Sequence, residues 1–381
     1  MLLKYFLITG AIQALFQILL LRTKNKNQHS DYWLMGWLSL VGVQLFFYFD
    51  NLSEVSFSEG IVGIVAFSIP LLSAPILFQY IRSISFGRRL SYKRFFIYTV
   101  PWATYLLVTI VTKIYYPSSI KIKSGYPHFS TDIPTFIPYV FTFPMALIPG
   151  IYALMGLTVL LRYQKSLPDR YSYTENINLS WLKWLVLSIL ALFTLLFIFI
   201  RFSIQIQLVN ANNLFLYVGL ILSLYVFLIG YLGFRHGTLL VSPTIDSTTQ
   251  DIETDIPYKK SGLDGSTVTQ LYGRLLVHME TQKPFLRDDL SLSLLAAQLS
   301  LKPNQLSQVI NQKSGNNFFV FINTYRVEEV KAKLSDPAFS HLSILGIAYE
   351  CGFRSKSAFN RIFKEQTGIS PLTFQRKNKP L

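Results

Sequence analysis

Cysteine occurs once in the 381 residues, at Cys351, so no disulfide can close within the chain. Placed on the apolar face of a predicted helix, that thiol reads as a small buried hydrophobe rather than a redox switch. Histidine is scarce as well. His29, His128, His236, His278 and His341 are scattered, without metal-ligand spacing. There is no phosphate loop, no nucleophile elbow and no paired-acid motif. The sequence therefore predicts no catalytic residue, no metal site and no cofactor, and a protein that is not an enzyme. Charge is the third shortage: charged residues make up 14% of the chain against 51% hydrophobic. That balance excludes a wholly soluble protein, and the apolar excess lies almost entirely before residue 236.

Seven long apolar runs fill that part, near Leu2–Leu21, Tyr32–Phe49, Ile61–Ile81, Phe95–Tyr115, Phe136–Leu161, Trp181–Gln207 and Leu214–Phe234. Each approaches the ~20 residues with which a helix crosses a hydrocarbon core of ~30 Å. Helices apolar all round, in series, predict a multi-pass membrane domain in the lipid bilayer. The second run, with Gln44, is the weakest. The first differs from a signal peptide because Arg22, Lys24 and Lys26 follow its apolar stretch and no small-residue cleavage site is present.

The connections carry charge unequally. The first, third and fifth hold eleven Lys/Arg: Arg22, Lys24, Lys26, Arg82, Arg88, Arg89, Lys93, Arg94, Arg162, Lys165 and Arg170. The second and sixth hold none, and the fourth holds Lys113, Lys121 and Lys123. By the positive-inside rule the odd connections are cytoplasmic, with the N-terminus outside and the C-terminus inside. The expected location is a membrane, with the C-terminal side in the cytoplasm.

Signals within the spans are weaker. Gly10, Gln13 and Gln17 share one face of the first helix and predict a packing seam with interhelical hydrogen bonds. Pro70 and Pro75 in the third run, and Pro138, Pro144 and Pro149 in the fifth, either bend those helices around a cavity or are ordinary membrane-helix prolines. Arg201 lies ~30 Å from Trp181 along the sixth helix. It either snorkels to the outer headgroups or, with Gln205 one turn on, lines a pocket for an anionic ligand. The fourth connection, Pro117–Pro134, is long enough to cap a site and equally suits a simple connector.

Thr238–Pro257 is polar, carries Asp246, Asp251, Glu253 and Asp255, and lacks apolar periodicity. It predicts a linker over 237–257 between a membrane domain (1–236) and a C-terminal domain (258–381). As a coil of ~20 residues it would span roughly 25 Å. Beyond it, Thr267 and Gln270 suggest a capping box for a helix bearing Leu271, Leu275, Leu276 and Met279. From Pro257 onward there are seventeen Lys/Arg against nine Asp/Glu. That excess suits phosphate contacts, with Lys302, Lys313, Lys331, Lys333, Arg354 and Lys377 as candidates.

The segment Ser343–Pro371 holds two helical patterns around a glycine turn. Ile344, Ile347, Ala348 and Cys351 recur at helical spacing behind Ser343, a natural N-cap. Gly352 breaks the pattern and Ser355 caps a second helix, whose apolar face is Ala358, Phe359, Ile362 and Phe363. Ser357, Asn360, Arg361 and Lys364 form the opposite stripe. Such a stripe suits the DNA major groove, where Arg grips guanine and Asn reads adenine. The pattern repeats upstream. Leu292, Leu295, Ala296 and Leu299 precede their counterparts by 52 positions, and Leu306, Val309 and Ile310 by 53. The outer stripe repeats as Asn304, Ser307, Gln308 and Asn311. Two such units favour DNA reading over a solvated helix face.

These residues resemble the DNA-binding domain of the AraC/XylS family of bacterial transcription regulators. Ile344, Ala348, Gly352, Phe353, Ser355, Phe359, Arg361, Phe363, Lys364, Gly368, Ser370 and Pro371 carry the likeness, which spans roughly Gly262–Arg376. It departs at Ser300, where a turn glycine is frequent, and at Gly346, where alanine is usual. The resemblance implies two helix-turn-helix units joined by a long helix, Asn317–Leu334. By position, Asn304, Ser307, Gln308 and Asn311 would be one reader set, and Lys356, Ser357, Asn360, Arg361 and Lys364 the other. It also implies promoter DNA as partner and recruitment of RNA polymerase.

The fold expected is all-α, a seven-helix transmembrane bundle followed by a cytoplasmic AraC-type domain. The function expected is a membrane-bound one-component transcription regulator, sensing an unknown ligand and possessing the option of a homodimer. The alternatives are a transporter whose tail controls its own gene and a receptor whose tail acts on a protein.

Overall fold

The computed structural model describes residues 2–24, 27–52, 60–87, 92–123, 126–130, 132–175, 177–206, 211–235 and 263–378. The linker expected at 237–257 and the side chains of Arg201 and Gln205 lie outside the described residues. The chain divides into two compact units. One is Met1–Arg162 with Leu179–Ser247, the other Tyr163–Asn178 with Thr248–Leu381. The expected contiguous domain, 1–236, is thus interrupted: the connection between its fifth and sixth helices belongs to the C-terminal unit.

The first unit contains helices α1 (Tyr5–Arg22), α2 (His29–Asn51), α3 (Gly60–Phe86), α4 (Tyr92–Tyr115), α5 (Ile137–Ser166), α6 (Ser180–Ile206) and α7 (Ala211–Arg235). Among the described residues six of these are long and apolar enough to cross a membrane, and Ser180–Leu195 of α6 is a shorter apolar stretch. Seven expected runs have therefore become helices, and α6 itself runs 27 residues. The seam predicted on α1 is present. Gln17 donates to the Val226 carbonyl at 2.7 Å across to α7. A Cβ at Gly10 would lie 2.5 Å from Ser223 Oγ, and one at Gly230 2.5 Å from Gln17 Nε2. Glycine at these positions lets the helices approach closely. Lys24, one of the loop charges, is buried in a 2.9 Å ion pair with Asp31 at the start of α2.

The fourth connection departs from the all-α expectation. Strands β1 (Ile120–Lys123) and β2 (Tyr126–Phe129) pair antiparallel, with Ile120 opposite Phe129. Alternating Ile120 and Ile122 favour strand pairing. Ile120 is fully buried in a cluster with Ile64, Ile133, Ile137 and Phe141, so the hairpin is packed onto α3 and α5.

The second unit holds α8 (Gly265–Gln282), α9 (Leu292–Gln298), α10 (Pro303–Ser314), α11 (Phe318–Ser335), α12 (Ile344–Glu350), α13 (Lys356–Thr367) and α14 (Pro371–Asn378). The α8 cap is Asp264, whose carboxylate accepts from the Thr267 N–H, rather than the expected Thr267 box. The helix is capped three residues upstream of Thr267, where aspartate is a strong cap. The expected joining helix is α11, capped by Asn317 through the Val320 N–H at 3.0 Å. Its first half, Phe318, Phe321 and Ile322, fills one core, with Leu275, Leu295 and Leu306. Its second half, Val327, Val330 and Leu334, fills another, with Ile347, Phe359 and Phe363. One helix thereby carries both units.

Candidate nucleic-acid interface

Each helix-turn-helix is assembled by the same local devices. Ser291 accepts from the Leu294 N–H and Ser343 from the Gly346 N–H, capping α9 and α12. Leu301 N–H donates to the Ala296 carbonyl at 2.8 Å and Phe353 N–H to the Ala348 carbonyl at 3.1 Å. The offset of 52 residues is therefore kept in the hydrogen bonds as well as in the side chains. Alanine is needed at both positions, since each is fully buried beneath the turn. Gly315 and Gly368 end α10 and α13 in left-handed conformations, at φ 70° and 77°.

The outer faces differ. On α13, Lys356, Ser357, Asn360, Arg361 and Lys364 are all exposed, opposite the buried Phe359, Ile362 and Phe363. Arg361 makes an i,i+4 ion pair with Glu365 at 3.3 Å, both half-exposed. It is a weak interaction and easily exchanged. On α10, Asn304 is exposed and Ser307 and Asn311 are partly buried, with the Asn311 amide 3.5 Å from the Ser307 hydroxyl. Gln308 is only 2% exposed, so the structure takes it off the outer stripe. Beside it on the same helix, Val309 packs on Val268 and Leu271 of α8.

The candidate phosphate contacts divide as well. Lys302, Lys313 and Lys377 are exposed. Lys331 pairs with Glu328 at 2.8 Å and Lys333 with Glu350 at 2.9 Å. Arg354 stacks 3.8 Å from the Tyr173 ring centroid and lies 3.4 Å from Asp288.

Residue-level reading of the sequence overlooked Arg326, the largest fully buried side chain, at 1% exposure. Its guanidinium donates to the carbonyls of Phe285 (2.8 Å), Arg287 (2.7 Å) and Ser172 (3.2 Å), to the Ser172 hydroxyl (3.1 Å) and to Asn323 Oδ1 (3.4 Å). Burial pulls its pKa down to about 10, with Asp288 acting against, so it stays charged at neutral pH. Gly352 packs beside it. At φ 85°, a Cβ there would lie 2.5 Å from the Phe285 oxygen and 3.0 Å from Arg326 Nε. The only advance signal was Gly352 itself.

In the first unit, a cavity of about 170 Å³ lies among α2, α3, α5, α6 and α7. Pro70 and Pro149 line it, together with Trp37, Gln44, Thr142 and Tyr225. The Gln44 amide donates to the Tyr48 hydroxyl at 2.6 Å within it.

Residues 295–377 match the family described as Helix-turn-helix domain. An uncharacterized HTH-type transcriptional regulator of Staphylococcus aureus (strain COL) is 33% identical over 88 residues, 23% of this chain. The chain spans 11% of that relative's length. Among solved structures, the C-terminal domain of AraT, a response regulator from Geobacillus stearothermophilus, is 27% identical and covers 30% of this chain and 87% of its own. The TM-score is 0.25. Residues 295–377 of this chain therefore carry a helix-turn-helix domain.

Proposed function

We propose that this chain is a membrane-bound one-component transcription regulator. The C-terminal unit reads promoter DNA in the cytoplasm, and the helices of the first unit sit in the inner membrane with the N-terminus outside. The observation that carries the DNA half is the exposed Lys356–Ser357–Asn360–Arg361–Lys364 stripe on the second helix of a helix-turn-helix, beside a twin unit on the same α11. Arg361 and Asn360 would read base edges, and Lys356 and Lys364 would hold phosphates. Asn304, Ser307 and Asn311 would supply a weaker second reader. RNA polymerase and a second copy of the chain are the partners that promoter control would need.

The membrane half is supported by helices that leave large apolar side chains outward, such as Phe96 and Ile97 of α4, which are two-thirds exposed. The cavity gives a place for a signal molecule. Its lining is mostly apolar, with polar groups on Trp37, Gln44, Tyr48, Ser73, Thr142, Tyr152 and Tyr225, which suits a small hydrophobic ligand with hydrogen-bonding capacity.

The test is DNA capture by the purified full chain in detergent, using fragmented genomic DNA of the source organism. Enrichment of a few promoter regions that vanishes in an Asn360→Ala/Arg361→Ala variant is the expected result. Retention that is sequence-blind and unchanged by the variant would overturn the reading.

A further inference from the structure

The connection between α5 and α6 is built into the DNA-binding unit. Tyr171 forms an antiparallel bridge with Ser291, the cap of α9. Leu292 N–H donates to the Arg170 carbonyl at 2.9 Å, and Ser172 returns both its N–H and its hydroxyl to the Leu290 carbonyl, the latter at 2.7 Å. The Ser172 carbonyl accepts from Asn323 and Arg326, and its hydroxyl from Arg326. Ser172 is 1% exposed. These bonds make an anchor that joins α9, α11 and the 284–287 turn.

Beyond the anchor the segment changes character. Tyr173, Thr174 and Glu175 are only partly buried and run along the start of α13. The Tyr173 ring lies against the Arg354 guanidinium. The Glu175 carboxylate accepts a hydrogen bond from the hydroxyl of Ser355, whose oxygen in turn caps the Ala358 N–H. A carboxylate therefore sits at the N-terminus of the second reading helix, where free N–H groups and the helix dipole attract anions. A duplex with α13 in its major groove brings a backbone phosphate to such a position.

We propose that residues 170–175 form an intrachain strap with a fixed anchor at Ser172 and a displaceable tip, Tyr173–Glu175, that competes with a DNA phosphate for the start of α13 and for Arg354. Docked, the tip lowers DNA affinity; bound DNA expels it. The strap is the direct continuation of α5, whose last turn from Tyr163 already belongs to this unit, so it is a second covalent route from the apolar helices to the reader, shorter than the C-terminal linker. The proposal rests on DNA being the ligand of α13.

The competition is sequence-independent, so a random-sequence duplex serves as probe, with the full chain in detergent and fluorescence anisotropy as readout. Glu175→Gln removes the charge and keeps the shape. It is expected to tighten binding about threefold to tenfold at low salt, with the gain shrinking as salt rises. A second measurement uses Thr174→Cys. Its labelling by a maleimide is expected to accelerate when duplex is added, against a silent background from the buried Cys351. Equal binding by wild type and Glu175→Gln, or a labelling rate indifferent to duplex, would overturn the strap while leaving DNA binding intact. No binding by either protein would remove the DNA reading and the competition with it.

Discussion

In the first helix-turn-helix unit the turn passes through Ser300 at φ 58°, and in the second through Gly352 at φ 85°. The first turn is open enough to keep a side chain in a left-handed conformation. The second is pressed onto the Phe285 and Leu286 carbonyls, where no Cβ fits. The reading helices differ in the same sense. α10 is held from behind by α8 as well as α9 and α11, and loses Gln308 to the interior. α13 keeps its whole polar stripe and three cations outward, but receives a carboxylate from a distant segment at its cap. Duplication thus supplied one frame with two finishes. The first reading helix is covered on more sides, and the second carries the cations and the Glu175 contact.

Breaking the turns should separate them most. Gly352→Ala adds a side chain in a left-handed conformation and against backbone oxygen, an expected loss of about 2–5 kcal/mol. Ser300→Gly relieves strain and costs chain entropy, so a change within about 1 kcal/mol is expected. Thermal unfolding of the two variants checks the contrast, and equal destabilisation would mean that the turns are equivalent.

Arg326→Met removes a buried cation and strips the Phe285 and Arg287 carbonyls of its hydrogen bonds, the Ser172 carbonyl keeping its Asn323 donor, with an expected cost of about 3 kcal/mol. Both units should loosen together, because Arg326 ties the 284–287 turn to Ser172 and lies beside Gly352. Hydrogen exchange of α9 and α13 amides measures this; protection lost in one helix alone would contradict a shared hub.

The DNA contacts sharpen the comparison at a smaller scale. Asn360→Ala/Arg361→Ala should cost about 2–4 kcal/mol of specific binding, and Asn304→Ala about 1 or less. Lys356→Ala and Lys364→Ala should each reduce the slope of log affinity against log salt by about one. Titrations on a captured promoter fragment would show it. An equal loss at Asn304 would make α10 and α13 equal readers.

The smallest effect is at Cys351. Burial pushes its thiol up to about 12 from an ordinary value near 9. Below about pH 9 the thiol is protonated folded or unfolded and contributes nothing to pH dependence. Between about 9 and 12 only the unfolded thiol ionises, so stability should fall as pH rises. Cys351→Ala should flatten that limb of the unfolding curve. At neutral pH, wild-type Cys351 should react with thiol reagents only on unfolding.

Much of this was legible in the sequence, for identifiable reasons. The seven apolar runs became helices because their signal is continuous and local. Ser343 and Ser355 act as the caps their positions predicted. The α1 seam followed from glycine and glutamine at readable spacing, whereas the prolines left a cavity and ordinary helix prolines as alternatives, and only Pro70 and Pro149 of the five line the cavity. Pro117–Pro134 was undecidable because a four-residue strand leaves a trace too short to separate from loop. Gln308 misled because the repeat predicts a face, whereas exposure depends on what else packs there.

By itself, then, the sequence determined where helices begin and end, which of them are apolar, and that two helix-turn-helix units follow one another. These properties are set by neighbours within a turn or two of the chain. Only the tertiary structure decided that Arg326 is a buried hub, that α8 covers part of α10, and that Ser172 and Glu175 join α9, α11 and α13. Those contacts link residues up to 180 positions apart. They arise when desolvated polar groups must find partners as the cores close, and such a requirement leaves no periodic mark on either segment.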